Sequence, residues 1–272
     1  GMCDDDDRPN DSFRAHVNTQ INILEETMTD LQEIFDYVDR HQQEFLEDLE
    51  DLCACRSASG DIEGLEAARK TAVRQMEQAG LNVVRVPVEN GNAMIYGELD
   101  GKKDYTVLFY NHYDVVEEGK KEKWITSDPF RLEQIGDKLY ARGVSDDIGP
   151  LLSRIHAVQS ILNTRGSLPV HVKFLVEGDE ESASPSMFRY QKEREVEFKE
   201  LTRADICFWE NGRRDKEGRP WARFGVRGAC GFNLKVTTAS LDVHGRMGAT
   251  VPSASWRLVW ALSTLKDRNE RV

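Results

Sequence analysis

The stretch Tyr105–Asp114 reads YTVLFYNHYD and leads a run of apolar side chains directly into a histidine and an aspartate. A short, nearly continuous apolar run is typical of a strand that is buried on both faces, as in a parallel sheet. The polar residues His112 and Asp114 follow this run, so they belong at the carboxyl end of the predicted strand. In such sheets, ligands bind in the crevice beyond the carboxyl ends of the strands.

Two further runs repeat this arrangement. Val170–Val176 (VHVKFLV) is followed by Glu180 and Glu181, and Asp205–Trp209 (DICFW) is followed by Glu210. Because the carboxyl ends of parallel strands share one edge of a sheet, we expect these acids to converge with the histidine. A neutral imidazole combined with carboxylates is a ligand set for zinc or a similar divalent ion. The sequence therefore predicts an α/β fold, a mostly parallel sheet flanked by helices, with a metal site at its edge.

Patterns typical of helices and turns surround these runs. Apolar residues recur at spacings of three and four within residues 13–52 and again within 64–79, as expected of helices. Val83–Pro87 and Met94–Leu99 are predicted strands, joined by turn residues at 89–92.

Two adjacent aspartates, Asp146 and Asp147, precede a further predicted helix, in which Pro150 fits the first turn. The apolar stripe of this helix consists of Leu151, Ile155, Val158 and Leu162. A single aspartate at a helix start is ordinarily an N-cap. Two aspartates in a glycine-flanked loop favour a metal-ligand role for Asp146 instead.

Composition excludes several classes of partner. The chain has 272 residues and a net charge of −12, which disfavours nucleic acid and anionic membranes, since both attract clustered Lys and Arg. It contains no apolar run long enough for a membrane span and no apolar segment typical of a secretory signal. The five cysteines, an odd number at irregular spacing, argue against a disulfide framework and for a reducing compartment. We therefore expect a cytoplasmic protein.

The sequence also predicts three segments. Residues 1–12 are acidic and polar and are predicted to form a disordered tail. Residues 13–225 would form the α/β metal-binding domain. Beyond them, residues 231–237 alternate between apolar and polar, as in a half-exposed antiparallel strand, and a helix is predicted to begin near residue 252. Residues 226–272 would then be the start of a smaller α+β unit.

Several motifs together resemble the M20 family of metallopeptidases and deacylases, which includes carboxypeptidase G2, the carnosinase-like dipeptidases and acetylornithine deacetylase. The matching stretches are Asn111–Val115, Trp124–Phe130, Tyr140–Pro150, Glu177–Ser182 and Gly225–Gly228. The resemblance looks closest to the dipeptidase-like branch. It implies a zinc-exopeptidase-like catalytic domain, followed by a lid domain whose first part is residues 226–272. It also implies hydrolysis of an amide bond in a dipeptide or an N-acyl amino acid.

The resemblance implies two metal ions, by default Zn²⁺, with Co²⁺ or Mn²⁺ suited to the same ligands. In this reading one residue, Asp146, bridges both ions. The implied ligands are His112, Asp146, Glu181 and Glu210. Two such ions lower the pKa of a bridging water and polarise an amide carbonyl.

Three further residues receive catalytic roles from the resemblance. Glu180 is the implied general base, which takes a proton from the water and passes it to the leaving amine. Asp114 is the implied hydrogen-bond partner of His112; side chains at alternate positions of an extended segment point the same way, which favours this pairing. His244 is implied to reach the active site of a neighbouring subunit in a homodimer formed through the lid domain.

Two alternatives stay open. Members of the family supply one more ligating histidine after the lid domain, whereas this chain ends at Val272 inside the lid-like unit. The resemblance therefore also allows a fragment or a degenerate relative, a metal-binding or association module without activity. A third interpretation, Mg²⁺-dependent phosphotransfer through Asp146 and Asp147, is disfavoured because the sequence has no P-loop and Mg²⁺ would not call for His112.

Overall fold

The computed structural model describes residues 31–210, 212–225, 228, 231–269 and 271. The chain divides into two compact units, Gly1–Trp221 and Ala222–Val272. The predicted domain boundary at residue 225 lies a few residues beyond this division. The predicted tail 1–12 and the first part of the predicted helical segment, residues 13–30, lie outside the described residues.

A five-stranded sheet forms the centre of the first unit. The strands in the described residues are β1 Asn82–Val86, β2 Met94–Leu99, β3 Gly101–His112, β4 Glu133–Ile135, β5 Lys138–Tyr140, β6 Leu168–Glu177, β7 Ile206–Trp209, β8 Arg213–Arg214 and β9 Pro220–Trp221. The central sheet has the order β1-β2-β6-β3-β7. β3 is parallel to both of its neighbours, and only β2 runs against the others. The prediction of a mostly parallel sheet is therefore confirmed.

The register of the sheet places three chain segments at one edge. His112 at the end of β3 is opposite Glu177 at the end of β6, and Tyr110 is opposite Trp209 at the end of β7. The residues that follow β6 and β7 therefore emerge close to the end of β3. This edge is where the sequence predicts the metal site.

Helices cover both faces of the sheet. The helices of the first unit in the described residues are α1 (31–40), α2 Gln42–Cys53, α3 Ile62–Gln78, α4 Ile148–Arg165, α5 Pro185–Glu193 and α6 Glu195–Thr202, and the second unit contains α7 Ala254–Leu265. Asp61 caps α3, because its carboxylate accepts a hydrogen bond from the Gly64 amide at 3.0 Å. α4 ends at Gly166, whose left-handed φ of +71° suits a glycine. Within the described ranges, every helix falls short of the length and apolarity that crossing a bilayer requires.

The main core lies between α2, α3, α4 and one face of the sheet. Leu52, Met76, Ile155 and Phe174 are fully buried there, and each such side chain contributes about 1.5–3 kcal/mol to stability. A second, smaller cluster on the opposite face joins strand residues such as Leu175 to side chains of α5 and α6. Burial on both faces explains why the sequence of β6 is nearly continuous in apolar residues.

The prediction that Asp205–Trp209 is a buried strand is wrong in one respect. β7 forms, but Ile206, Phe208 and Trp209 are 41%, 48% and 55% exposed. The strand lies at the end of the sheet and pairs only with β3. An apolar run predicts a strand, but burial also needs packing on both faces of that strand, and at the end of the sheet β7 lacks it within the first unit.

The second unit contains a 3-10 turn, Gly245–Ala249, and helix α7. The helix predicted near residue 252 is confirmed: Ser253 caps α7 by accepting a hydrogen bond from the Trp256 amide at 3.3 Å. The predicted strand at 231–237 is wrong, since no described residue of this unit is in a strand. A segment with an alternating pattern forms a strand only when a neighbouring strand pairs with its main-chain N–H and C=O groups. The described part of this unit contains no such partner strand.

Candidate metal centre

His112 lies at the end of β3, fully buried, with both ring nitrogens engaged. Its Nε2 is 3.1 Å from Asp146 Oδ1 and 3.8 Å from Glu180 Oε2. Burial opposes a charge on this ring, but the hydrogen bond to Asp114 and the charges of Asp147 and Asp114 outweigh it and raise the pKa to about 10. A histidine binds metal in its neutral form, so a cation bound to Nε2 would replace a proton there.

Asp114 supports the site in two ways. His112 Nδ1 lies 2.9 Å from the Asp114 main-chain oxygen and 3.4 Å from its carboxylate Oδ1. The same carboxylate accepts hydrogen bonds from the amides of Glu180 and Glu181, each at 3.1 Å, and from the Ser59 hydroxyl at 3.3 Å. One buried aspartate therefore orients the histidine and also holds the main chain of both glutamates.

Glu180 and Glu181 begin a short 3-10 turn, Glu180–Ser182, that follows β6. One ligand atom from each of these glutamates and one from His112 lie within 4.8 Å of one another, and the described residues contain no other such group of histidine, cysteine or acidic residues. Burial, reinforced by neighbouring carboxylates, raises the pKa of both glutamates. A ring nitrogen and several carboxylate oxygens lie close together here, although the carboxylates repel one another. A divalent cation bound among them would relieve this repulsion, and these atoms are ligands that such a cation accepts.

The two adjacent aspartates have different surroundings. Asp146 is 57% exposed and turns its Oδ1 towards His112, whereas Asp147 is fully buried. Asp147 Oδ2 accepts hydrogen bonds from Asn111 Nδ2 at 2.7 Å and from the His112 amide at 3.1 Å. Burial raises the pKa of Asp147 to about 6. Asp147 occupies the N-cap position of α4, but its side chain makes no capping hydrogen bond.

Glu210 directly follows β7, and its amide donates to the Tyr110 carbonyl at 2.8 Å. Its φ of +33° is in the left-handed region, which is unusual for a residue with a side chain. Its buried Oε1 has no hydrogen-bond partner among the described residues. Burial and the charge of Glu180 raise its pKa to about 7. Glu210 thus shares the electrostatic environment of the site, although its carboxylate lies outside the 4.8 Å group.

His244, the remaining predicted site residue, belongs to the second unit. Its Nδ1 accepts a hydrogen bond from the Arg246 amide at 3.2 Å, at the start of the 3-10 turn. Its role in a neighbouring subunit stays a prediction.

A buried acid that was not predicted from the sequence, Glu177, ends β6 three residues before Glu180. Glu177 is fully buried, and its carboxylate accepts hydrogen bonds from the Tyr110 hydroxyl and, at 2.8 Å, from Ser184. Burial raises the pKa of Glu177 to about 8. The sequence did contain an indication of this group, because a carboxylate that directly ends an apolar strand run needs a partner inside the fold.

Gly178 connects this buried group to the turn that holds the glutamates, and we expect Gly178→Ala to destabilise the first unit by about 1–3 kcal/mol. A Cβ there would lie 2.2 Å from Cζ and Oη of Tyr113. Tyr113 cannot retreat easily, since it is buried and donates to the Ala93 carbonyl at 2.7 Å. Urea unfolding would measure the free-energy difference. Gly212→Ala, with no atom within 4 Å of its Cβ, is the control, and equal stability of the two variants would contradict this packing.

The fold and this arrangement of side chains agree with sequence comparison. The model of peptidase family M20/M25/M40 matches residues 108–257, more than half of the chain. The chain belongs to this family. The matched range contains every predicted site residue, from His112 to His244.

The proteins similar to this chain include named dipeptidases. The chain is 30% identical over 262 residues to a Beta-Ala-His dipeptidase of Rattus norvegicus, an alignment with 89% of this chain and 52% of the relative. It is 28% identical over 265 residues to a Cys-Gly metallodipeptidase of Schizosaccharomyces pombe, with 89% and 53% covered. A solved M20 family metallo-carboxypeptidase from Sulfolobus solfataricus superposes with a TM-score of 0.72 at 28% identity, over 84% of this chain and 51% of that one. The chain thus spans about half the length of the relatives it matches.

Proposed function

We propose that this chain supplies the metal-binding part of a metal-dependent hydrolase that cleaves the amide bond of a dipeptide or an N-acyl amino acid. The observation that supports this most strongly is the close grouping of a ring nitrogen of His112 with carboxylate oxygens of Glu180 and Glu181 at the carboxyl edge of the sheet. Family membership and the dipeptidase names of two relatives favour a dipeptide as substrate.

Two divalent ions would be held by four side chains, with zinc as the default and cobalt or manganese suited to the same donors. The proposed ligands are His112, Asp146, Glu181 and Glu210. When bound, such ions polarise an amide carbonyl and lower the pKa of a coordinated water. The orphaned, buried Oε1 of Glu210 and the raised pKa values of Glu181 and Glu210 support this assignment.

Glu180 is the proposed general base. It would accept the proton of the attacking water and transfer it to the nitrogen of the leaving amine. Burial raises its pKa, which favours a group that must both take and give a proton near neutral pH. The Glu180 amide donates a hydrogen bond to Asp114, which holds the main chain of Glu180 in place and so limits where its carboxylate can lie.

We also propose that the second unit mediates homodimerisation, that His244 contributes to the partner's site, and that the protein is cytoplasmic. Exposed aromatic side chains on α7, Trp256 at 60% and Trp260 at 55%, support an interface on this unit. Light scattering of the purified chain tests the dimer. A monomer at every concentration would contradict it.

The decisive experiment measures hydrolysis of β-alanyl-histidine and cysteinyl-glycine by the purified chain. One sample is loaded with zinc and desalted, and a matched sample is treated with a chelator. We expect amine release only from the loaded sample, with two metal equivalents per chain. Hydrolysis that survives chelation would contradict the proposal. Tight metal binding without turnover of any dipeptide or N-acyl amino acid would favour the alternative, a non-catalytic metal-binding module.

A further inference from the structure

Arg154 of α4 reaches the ends of two strands of the sheet. Its Nη1 donates to the Tyr110 carbonyl at 3.0 Å and to Asn111 Oδ1 at 2.6 Å, and its Nη2 donates to the Glu210 carbonyl. The guanidinium carbon lies 5.5 Å from the centre of the Phe109 ring, a cation–π distance. A single side chain therefore joins α4, β3 and the residue after β7.

The acceptors of Arg154 lead directly to the candidate metal ligands. Asn111 accepts a hydrogen bond from Arg154 through its Oδ1 and donates one from its Nδ2 to Asp147 Oδ2. Asp147 Oδ2 also accepts a hydrogen bond from the His112 amide. The Tyr110 carbonyl accepts hydrogen bonds from both the Arg154 guanidinium and the Glu210 amide. The guanidinium thus lies where the segments that carry the histidine, the aspartate pair and Glu210 meet.

We propose that Arg154 is a positioning residue that fixes Glu210, and through Asn111 and Asp147 also the end of β3, for metal binding. This inference rests on the metal site of the proposed function. The left-handed φ of Glu210 is strained for a side-chain-bearing residue and persists only where the surroundings hold it. Arg154 supplies that restraint, since it donates to the carbonyl of this residue and to the carbonyl that pairs with its amide.

The chemistry of the guanidinium explains why an arginine is required. It offers five donors in a rigid, planar fork, whereas the lysine ammonium is a point charge on a flexible stem. Only the fork can reach Tyr110, Asn111 and Glu210 together while its face rests on Phe109. A purely structural arginine would affect stability alone. A positioning arginine must also change metal affinity.

The test compares Arg154→Met and Arg154→Lys with Arg74→Met. Arg74 is an arginine of α3 that forms a half-exposed ion pair with Asp51 at 3.0 Å. Zinc affinity is measured by calorimetry on the full chain. Hydrogen exchange of residues 205–210 is measured on the metal-free proteins. We expect Arg154→Met to weaken zinc binding roughly 10- to 100-fold and to accelerate exchange at the Glu210 amide, with Arg154→Lys in between and Arg74→Met unchanged.

Zinc affinity of Arg154→Met equal to that of the parent chain would overturn the proposal. An equal loss of affinity in Arg74→Met would also overturn it, because the effect would then be a general loss of stability. A parent chain that binds no zinc would refute the proposed function instead. In that case, hydrogen exchange decides about Arg154: unchanged protection of the Glu210 amide refutes its positioning role, and faster exchange supports it.

Discussion

Replacing Glu180 by Gln is expected to lower kcat for dipeptide hydrolysis by roughly 10²–10⁴-fold, the usual contribution of a general base. Gln keeps the shape of the side chain, and the main-chain amide of residue 180 can still donate its hydrogen bond to Asp114. The Gln side chain, however, cannot act as a base that accepts a proton from water. Metal stoichiometry should therefore stay at the parent value. Amine release measured together with metal content would check both expectations.

Two companion variants separate the role of Glu180 from that of its neighbours. Glu181→Gln should lower metal content as well as turnover, because Glu181 is a proposed ligand. Glu193→Gln, an exposed acid at the end of α5, should change neither quantity. Turnover of Glu180→Gln near the parent value would exclude this glutamate as the base. Loss of metal from Glu180→Gln would show that it is a ligand instead.

Asp114→Asn should weaken zinc binding by roughly 10- to 100-fold, the range found when groups that orient metal ligands are replaced. Each carboxylate oxygen of Asp114 accepts one hydrogen bond from a main-chain amide, Oδ1 from Glu180 and Oδ2 from Glu181. An asparagine of the same shape has one oxygen and one NH₂ group, so one amide would face a donor. The negative charge that supports His112 would also be lost. Calorimetric titration with zinc would measure the change.

The matched control is Asp128→Asn, which removes the charge of an aspartate paired with Arg56 at 2.6 Å and 38% exposed. An exposed pair contributes little, so zinc affinity should stay at the parent value. Equal zinc affinity of the Asp114→Asn variant and the parent chain would contradict the role of Asp114 in holding the two glutamates.

The sequence was sufficient to predict the segments that meet at the metal centre. Apolar runs that end on His112 and on the acids after β6 identify parallel strands, and the geometry of parallel sheets brings their ends together. The order of the motifs was enough to indicate the family. These predictions succeed because they depend on local pattern and on sheet geometry, both of which are written in short stretches of chain.

Other features depend on contacts that local pattern does not encode. Asp146 and Asp147 are identical in type, yet only Asp147 is buried, and there it accepts a hydrogen bond from Asn111. Arg154 occupies the same face of α4 as Leu151 and Val158, three residues after the first and four before the second. A charge on an apolar stripe was therefore visible in the sequence, but its partners on two strands were not.

The exposure of β7 has a consequence for self-assembly. Among the described residues, β7 and β1 are the two edge strands of the sheet, and each leaves main-chain groups unpaired. Two copies that join β7 to β7 about a twofold axis would close as a dimer. A copy that joins β7 to the β1 of the next would instead leave one edge free at each end and extend into a filament. Phe208 and Trp209, both exposed and pointing to opposite faces of the sheet, would add apolar contacts to either arrangement.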